Sequence, residues 1–210
     1  MRKIMMFSAV LALAIFCACP MFADTCNGVS ANLVSNCGFE TGDLSGWTVG
    51  GNTANPGENY YGVDNFDAHS GNFGAYMSED AIDGGTGPVT LSQVLGTQPG
   101  ETYQISFWLQ QDSAVDGTTV HSFNASFDGS TLLALNPTTS SPGIVGTWTE
   151  YTFLVEGEGL TSNLGFSFRN DDNYWSFDDV SVLQTPEPPP SLLVGTALIA
   201  LIGLRRITAN

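Results

Sequence analysis

Along the middle of the chain apolar and polar residues alternate one by one. Tyr103, Ile105, Phe107 and Leu109 are interleaved with Gln104, Ser106, Trp108 and Gln110, the period of two that predicts a strand with one buried face. Phe123, Ala125 and Phe127 repeat the pattern, as do Tyr151, Phe153 and Val155, and then Leu164, Phe166 and Phe168. Further strands are expected over residues 32–36, 46–49, 73–78, 89–95, 131–135 and 175–183. The separators are turn-formers: Pro99-Gly100, Asp116-Gly117, Asp128-Gly129 and Pro142-Gly143. Between the two terminal segments no stretch has a helical period. Regular strands with turn punctuation predict an all-β chain, a two-sheet antiparallel jelly-roll β-sandwich. An immunoglobulin-like order is disfavoured, because no pair of cysteines flanks a tryptophan in that pattern.

The two ends depart from this pattern. Residues 1–23 combine Arg2 and Lys3, an apolar run from Ile4 to Phe16 and a small-residue exit, the layout of a secretory signal peptide. The expected cut follows Ala23; lipoprotein processing at Cys19, preceded by Ala18, is the rival. At the other end Leu192 to Leu204 carries no charge and is followed by Arg205 and Arg206. As a helix at about 1.5 Å per residue it spans roughly 20 Å, short of a hydrocarbon core of about 30 Å. The positive-inside rule keeps the arginine pair cytoplasmic and puts everything before Pro186 on the outer side. Residues 24–184 remain as one domain, long enough for a substantial core.

That domain is strongly acidic. Of the chain's 21 Asp and Glu, only Glu187 lies outside it; of five Lys and Arg, only Arg169 lies inside, leaving 19 net negative charges. Such a field repels nucleic acid and anionic lipid and favours divalent cations. With Cys17 and Cys19 leaving in the signal peptide, Cys26 and Cys37 form an even pair in an exported chain, which predicts a disulfide. Closing so short a loop stabilises by roughly 2–3 kcal/mol and ties the N-terminal segment to the first strand.

Two family resemblances follow from particular residues. Pro186, Glu187 and Pro188, the apolar run and Arg205-Arg206 resemble the PEP-CTERM sorting signal of bacterial surface and matrix proteins. That resemblance implies recognition by a membrane-embedded exosortase, transient membrane anchoring, and release to the cell surface or extracellular matrix. Here Thr185 precedes the motif and extra prolines follow it. The second resemblance runs from about residue 31 to 183. Asn36-Cys37-Gly38-Phe39-Glu40 with Gly46-Trp47, Ser70-Gly71, the run from Leu91 to Leu109, and Phe177-Asp178-Asp179-Val180 are similar to landmarks of jelly-roll carbohydrate-binding modules. It implies a structural Ca²⁺ held by Glu40, Asp67 and Asp178, with Asp179 as substitute for the last; backbone carbonyls near His69 and Gly38, or water, would complete its six to eight oxygens.

For ligand chemistry, Gln104, Trp108 and Gln110 share the polar side of their strand, and Arg169 points outward from its own. An aromatic ring beside amides suits a pyranose, whose C–H face stacks while its hydroxyls bond, and a guanidinium grips paired oxygens. Tyr60, Tyr61, Tyr174 and Trp175 are an alternative loop platform, and Trp47 is assigned to the core. No G-x-S-x-G or H-E-x-x-H occurs, so the expectation is a non-catalytic polysaccharide-binding module stabilised by calcium. The competing expectation is a structural matrix protein with no specific glycan.

Overall fold

The computed structural model describes residues 26, 29, 31–53, 60–78, 87–112, 120–136, 145–171 and 173–186. The signal peptide and the chain beyond Pro186, with Glu187, Pro188, Arg205 and Arg206, lie outside the described residues.

Ten strands follow one another: β1 (Thr48–Gly51), β2 (Tyr61–Asp64), β3 (Gly74–Met77), β4 (Val89–Gly96), β5 (Thr102–Gln111), β6 (His121–Phe127), β7 (Ser130–Leu135), β8 (Thr149–Glu156), β9 (Thr161–Asn170) and β10 (Trp175–Gln184). They form two antiparallel five-stranded sheets, in the orders β1-β4-β9-β6-β7 and β2-β3-β10-β5-β8. Among the described residues there is no helix. β5 is buried at every second residue from Tyr103 to Gln111, and β9 from Ser162 to Asn170. The inward sides meet in an aromatic core: Phe177 lies 4.7 Å from Phe166, 5.2 Å from Phe168 and 5.7 Å from Phe107 between ring centroids. Trp47 joins it, stacked 5.8 Å from Phe39. The Asp128-Gly129 turn between β6 and β7 has positive φ at both residues, 48° and 79°, the conformation a two-residue hairpin needs and that Asp-Gly supplies.

Two strand boundaries differ from the sequence expectation. Residues 32–36 are not a strand: Asn32 uses its side chain in place of a ladder, accepting at Oδ1 from Val182 N (3.0 Å) and donating from Nδ2 to Val180 O (3.2 Å). The Cys26–Cys37 disulfide therefore holds the N-terminal segment to β10, where Cys37 O accepts from Val180 N at 2.9 Å, and not to a first strand. Tyr61, expected in a loop, opens β2 and packs against the core.

One irregularity positions everything that follows. Across from β5, Asp178 pairs with Trp108 but the next paired residue is Ser181 with Ser106, so β10 carries one extra residue there, a β-bulge. Asp179 in this bulge has a φ of 51°, which turns its side chain out of the strand's alternation.

Candidate functional site

Opposite the core, the second sheet presents Gln104, Trp108 and Gln110 from β5, Tyr76 from β3, Ser176 and Asp178 from β10, and Glu150 from β8. The register places Tyr76 across from Ser176, Ser176 across from Gln110, and both Asp178 and Glu150 across from Trp108. The expected common face of Gln104, Trp108 and Gln110 is present. Arg169 does not belong to it. Its strand β9 is in the other sheet, and its guanidinium is held by Asp171, Nε to Oδ1 at 2.8 Å and Nη2 to Oδ2 at 3.1 Å.

The segment from Asp64 to Phe73 links β2 to β3, and part of it crosses this face. Three carboxylates hold it, each taking two consecutive backbone N–H groups. Asp64 Oδ1 accepts from Phe66 N (2.8 Å) and Asp67 N (3.1 Å). Asp178 Oδ2 accepts from His69 N (2.8 Å) and Ser70 N (3.1 Å). Glu40 Oε1 accepts from Asn72 N (2.7 Å) and Phe73 N (3.0 Å). At Gly74 a side chain would run into the Asp67 backbone, so only glycine lets the segment fold back this closely.

His69 is the segment's centre. Its ring stacks on Trp108, centroids 3.8 Å apart and planes at 14°, with Trp148 edge-on at 5.3 Å. His69 Nδ1 lies 2.7 Å from Asp179 Oδ2, and Ser70 Oγ donates to Asp179 Oδ1 at 2.8 Å. One side of Trp108, the ring chosen from sequence, is thus covered by an imidazole. Sequence reasoning used only the backbone near His69, not its ring, and passed over Trp148, for which the only signal was an unassigned aromatic near a turn.

The acids assigned to calcium are distributed among separate partners. Asp178 and Asp179 are adjacent and buried. Burial, then the neighbouring Asp179 charge, pushes the Asp178 pKa up to about 8, against three backbone hydrogen bonds that favour its ionised form. Asp67 is bonded to Ser176 Oγ, which also lies 2.8 Å from Asp112 Oδ1. Burial raises the Asp67 pKa to about 7 against the lowering effect of the Ser176 bond, and the Asp112 and Asp64 charges add to the rise. Burial opposes ionisation of Glu40 too, but there the bonds from Asn72 and Phe73 outweigh it and hold the carboxyl below its ordinary value. Among the described residues, no three His, Cys, Asp or Glu side chains gather where they would hold a metal ion. Asp178 and Asp179 direct one oxygen each toward the same point: each Oδ1 lies 3.6 Å from where a side chain at Gly38 would begin. Glu40 and Asp67 point to other partners.

The family described as Carbohydrate binding domain (CBM_4_9) matches residues 31–169, from the turn before β1 to the end of β9. The chain belongs to this family. Among solved structures, this carbohydrate-binding domain is similar to the K1 cleaved adhesin domain of Lys-gingipain from Porphyromonas gingivalis W83, at 17% identity and a TM-score of 0.52, covering 71% of this chain and 96% of that one. It is also similar to the CBM22-1–GH10 modules of Clostridium thermocellum endo-1,4-β-D-xylanase 10B, a structure with xylohexaose, at 15% identity and a TM-score of 0.50, covering 76% of this chain and 30% of that one. A third likeness is to the enzymatically active domain of bacteriophage CBA120 tailspike protein 4, at 16% identity and a TM-score of 0.51, covering 73% and 21%. At these identities the likeness is one of fold. No curated protein matches the chain.

Proposed function

We propose that this chain is an exported, non-catalytic polysaccharide-binding module that uses the outer face of the β2-β3-β10-β5-β8 sheet. The observation that carries the reading is the composition of that face. Half-buried rings (Tyr76, Trp108, Trp148 and Tyr174) share one surface with the Gln110 amide, and Tyr76 and Tyr174 meet edge to face at 5.4 Å. Rings with amides beside them provide both contacts a pyranose makes, and membership of a carbohydrate-binding family supports the same ligand class.

The reading includes three further elements. Calcium would be held by Asp178 and Asp179 with carbonyl oxygens around Gly38, and it would supply charge neutralisation of two adjacent buried carboxylates. The residues of the chain do the rest, since Asp178 and Glu40 fix the segment that carries His69. Residues 1–23 direct export. Pro186, Glu187, Pro188 and the apolar stretch ending in Arg205-Arg206 make the protein an exosortase substrate, anchored transiently in the membrane and delivered to the cell surface or matrix.

The test is retention of the purified protein on a panel of soluble and insoluble polysaccharides, with calcium and with chelator. Retention by one glycan class, weakened about three- to tenfold by Trp148→Ala or Tyr76→Ala, is the expected result. A folded protein that no glycan retains overturns the reading and leaves the structural matrix protein in its place.

A further inference from the structure

Phe66 is the most exposed large apolar side chain among the described residues, with 89% of its surface open. Single exposed apolar residues are common and mean little by themselves. The setting of Phe66 is different. Its own N–H is fixed by Asp64 Oδ1 at 2.8 Å and that of the next residue by the same oxygen, and the segment continues through the paired anchors at residues 69–70 and 72–73. The ring therefore projects from a backbone ordered in advance, and a contact made there does not have to pay for ordering the loop. The same segment lays His69 over Trp108, so one side of the ring expected to stack on a sugar is covered while Phe66, three residues before His69, is held open.

The charges nearby restrict the ligand. Asp64, at the foot of the loop, lies near Asp67 and Asp112: its charge helps to raise the pKa of both, and the Asp112 charge also raises that of Asp67; Glu150 sits across from Trp108. The single Lys or Arg among the described residues, Arg169, is on the other sheet and bonded to Asp171. Among the described residues, no Lys or Arg lies on this face to compensate an anionic ligand.

We propose that Phe66 is an outer stacking residue of the glycan face and that the face takes uncharged chains and rejects uronate- or sulfate-bearing ones. This inference rests on the polysaccharide-binding reading above. Asp64, which fixes the Phe66 N–H, also acts electrostatically on Tyr76, so an aromatic ring on this arm adds to the face beside Tyr76, and the carboxylates at its base discriminate by a repulsion that salt screens with a Debye length of about 10 Å at 0.1 M.

The experiment uses the full chain in chelator, so that no divalent cation bridges carboxylates, with xylan, cellulose, galactan and starch as probes. Whichever is retained is then compared in two derivatives of equal substitution, one methylated and one sulfated. Phe66→Ala is expected to lower affinity about three- to tenfold with an unchanged melting temperature, and Phe66→Trp to retain binding and report it by a fluorescence change. The sulfated derivative is expected to bind at least about tenfold more weakly than the methylated one at low salt, the gap narrowing as salt rises. Wild-type affinity in Phe66→Ala overturns the role of Phe66, and equal or tighter binding of the sulfated chain overturns the charge selection, while the glycan reading stands in both cases. Retention of none of the probes overturns that reading and this inference together.

Discussion

Replacing Glu40 separates a loop clamp from a metal ligand. In the structure Glu40 Oε1 accepts from Asn72 N and Phe73 N, and Oε2 accepts from Asn72 Nδ2 at 3.1 Å. Hydrogen bonds to a charged acceptor contribute about 1.5–3 kcal/mol each, and a half-buried N–H left unpaired costs about 1–3 kcal/mol. The Asn72 groups are exposed, so water replaces much of what they lose; the Phe73 N–H is less accessible. Glu40→Ala should therefore cost about 2–3 kcal/mol. For a domain of this size 1 kcal/mol shifts the melting temperature by about 2–4 °C, so a fall of roughly 4–12 °C is expected in calorimetry at pH 7 with chelator. Glu40→Gln keeps an oxygen for both backbone donors, and the Asn72 amide turns over to meet the new NH₂, so it should cost under about 1 kcal/mol. The pKa of Glu40 is depressed in the fold, so its contribution is present above the ordinary carboxylate range and is lost as pH falls below it. The gap between wild type and Glu40→Ala should accordingly close in acid. If Glu40 acted only as a calcium ligand, Gln would be as damaging as Ala and neither would matter in chelator. That pattern would refute the clamp.

Three other outcomes are expected. Asp178 and Asp67 have raised pKa values, about 8 and about 7, so their protonated forms favour the fold. The stability they contribute is full below the unfolded carboxylate range and is lost as pH rises toward 8; denaturation midpoints in chelator should fall between pH 5 and pH 8, and Asp178→Asn should flatten the fall. His69→Ala removes a ring from Trp108 and a partner from Asp179, which should cost about 1–2 kcal/mol and red-shift tryptophan emission as water reaches the indole. Phe177→Ala opens the centre of the core, where Phe39, Phe107, Phe123, Phe166 and Phe168 all contact it; a loss of about 3–5 kcal/mol is expected by chemical denaturation. A loss below 1 kcal/mol would mean that the core closes over the cavity.

Alternation along a single strand is a local property, and here it was legible. The side chains of Tyr103, Ile105, Phe107 and Leu109 are inward, those of Gln104, Trp108 and Gln110 outward, because a pleated backbone sends neighbouring residues to opposite sides wherever the strand lies. Asp128-Gly129 announced its hairpin for an equally local reason, the positive φ that this pair tolerates. Residues 32–36 misled because an Asn32 side chain replaced the ladder that apolar patterning there suggested. Strand order is not local. Arg169 and Trp108 both point outward, but sheet pairing put their strands on opposite sides of the molecule. The fate of the acidic residues was likewise decided by tertiary contacts. Register puts Asp178 on the outer face, and the bulge that follows turns Asp179 the same way, so that both carboxylates meet the loop at His69 and Ser70, over a hundred residues away in sequence. Glu40 reaches Asn72 and Phe73 only because the turn after Cys37 is packed beside that same loop. A carboxylate's preference for paired N–H donors can be read from its chemistry, but which donors it meets depends on the distances that folding brings to a few ångströms.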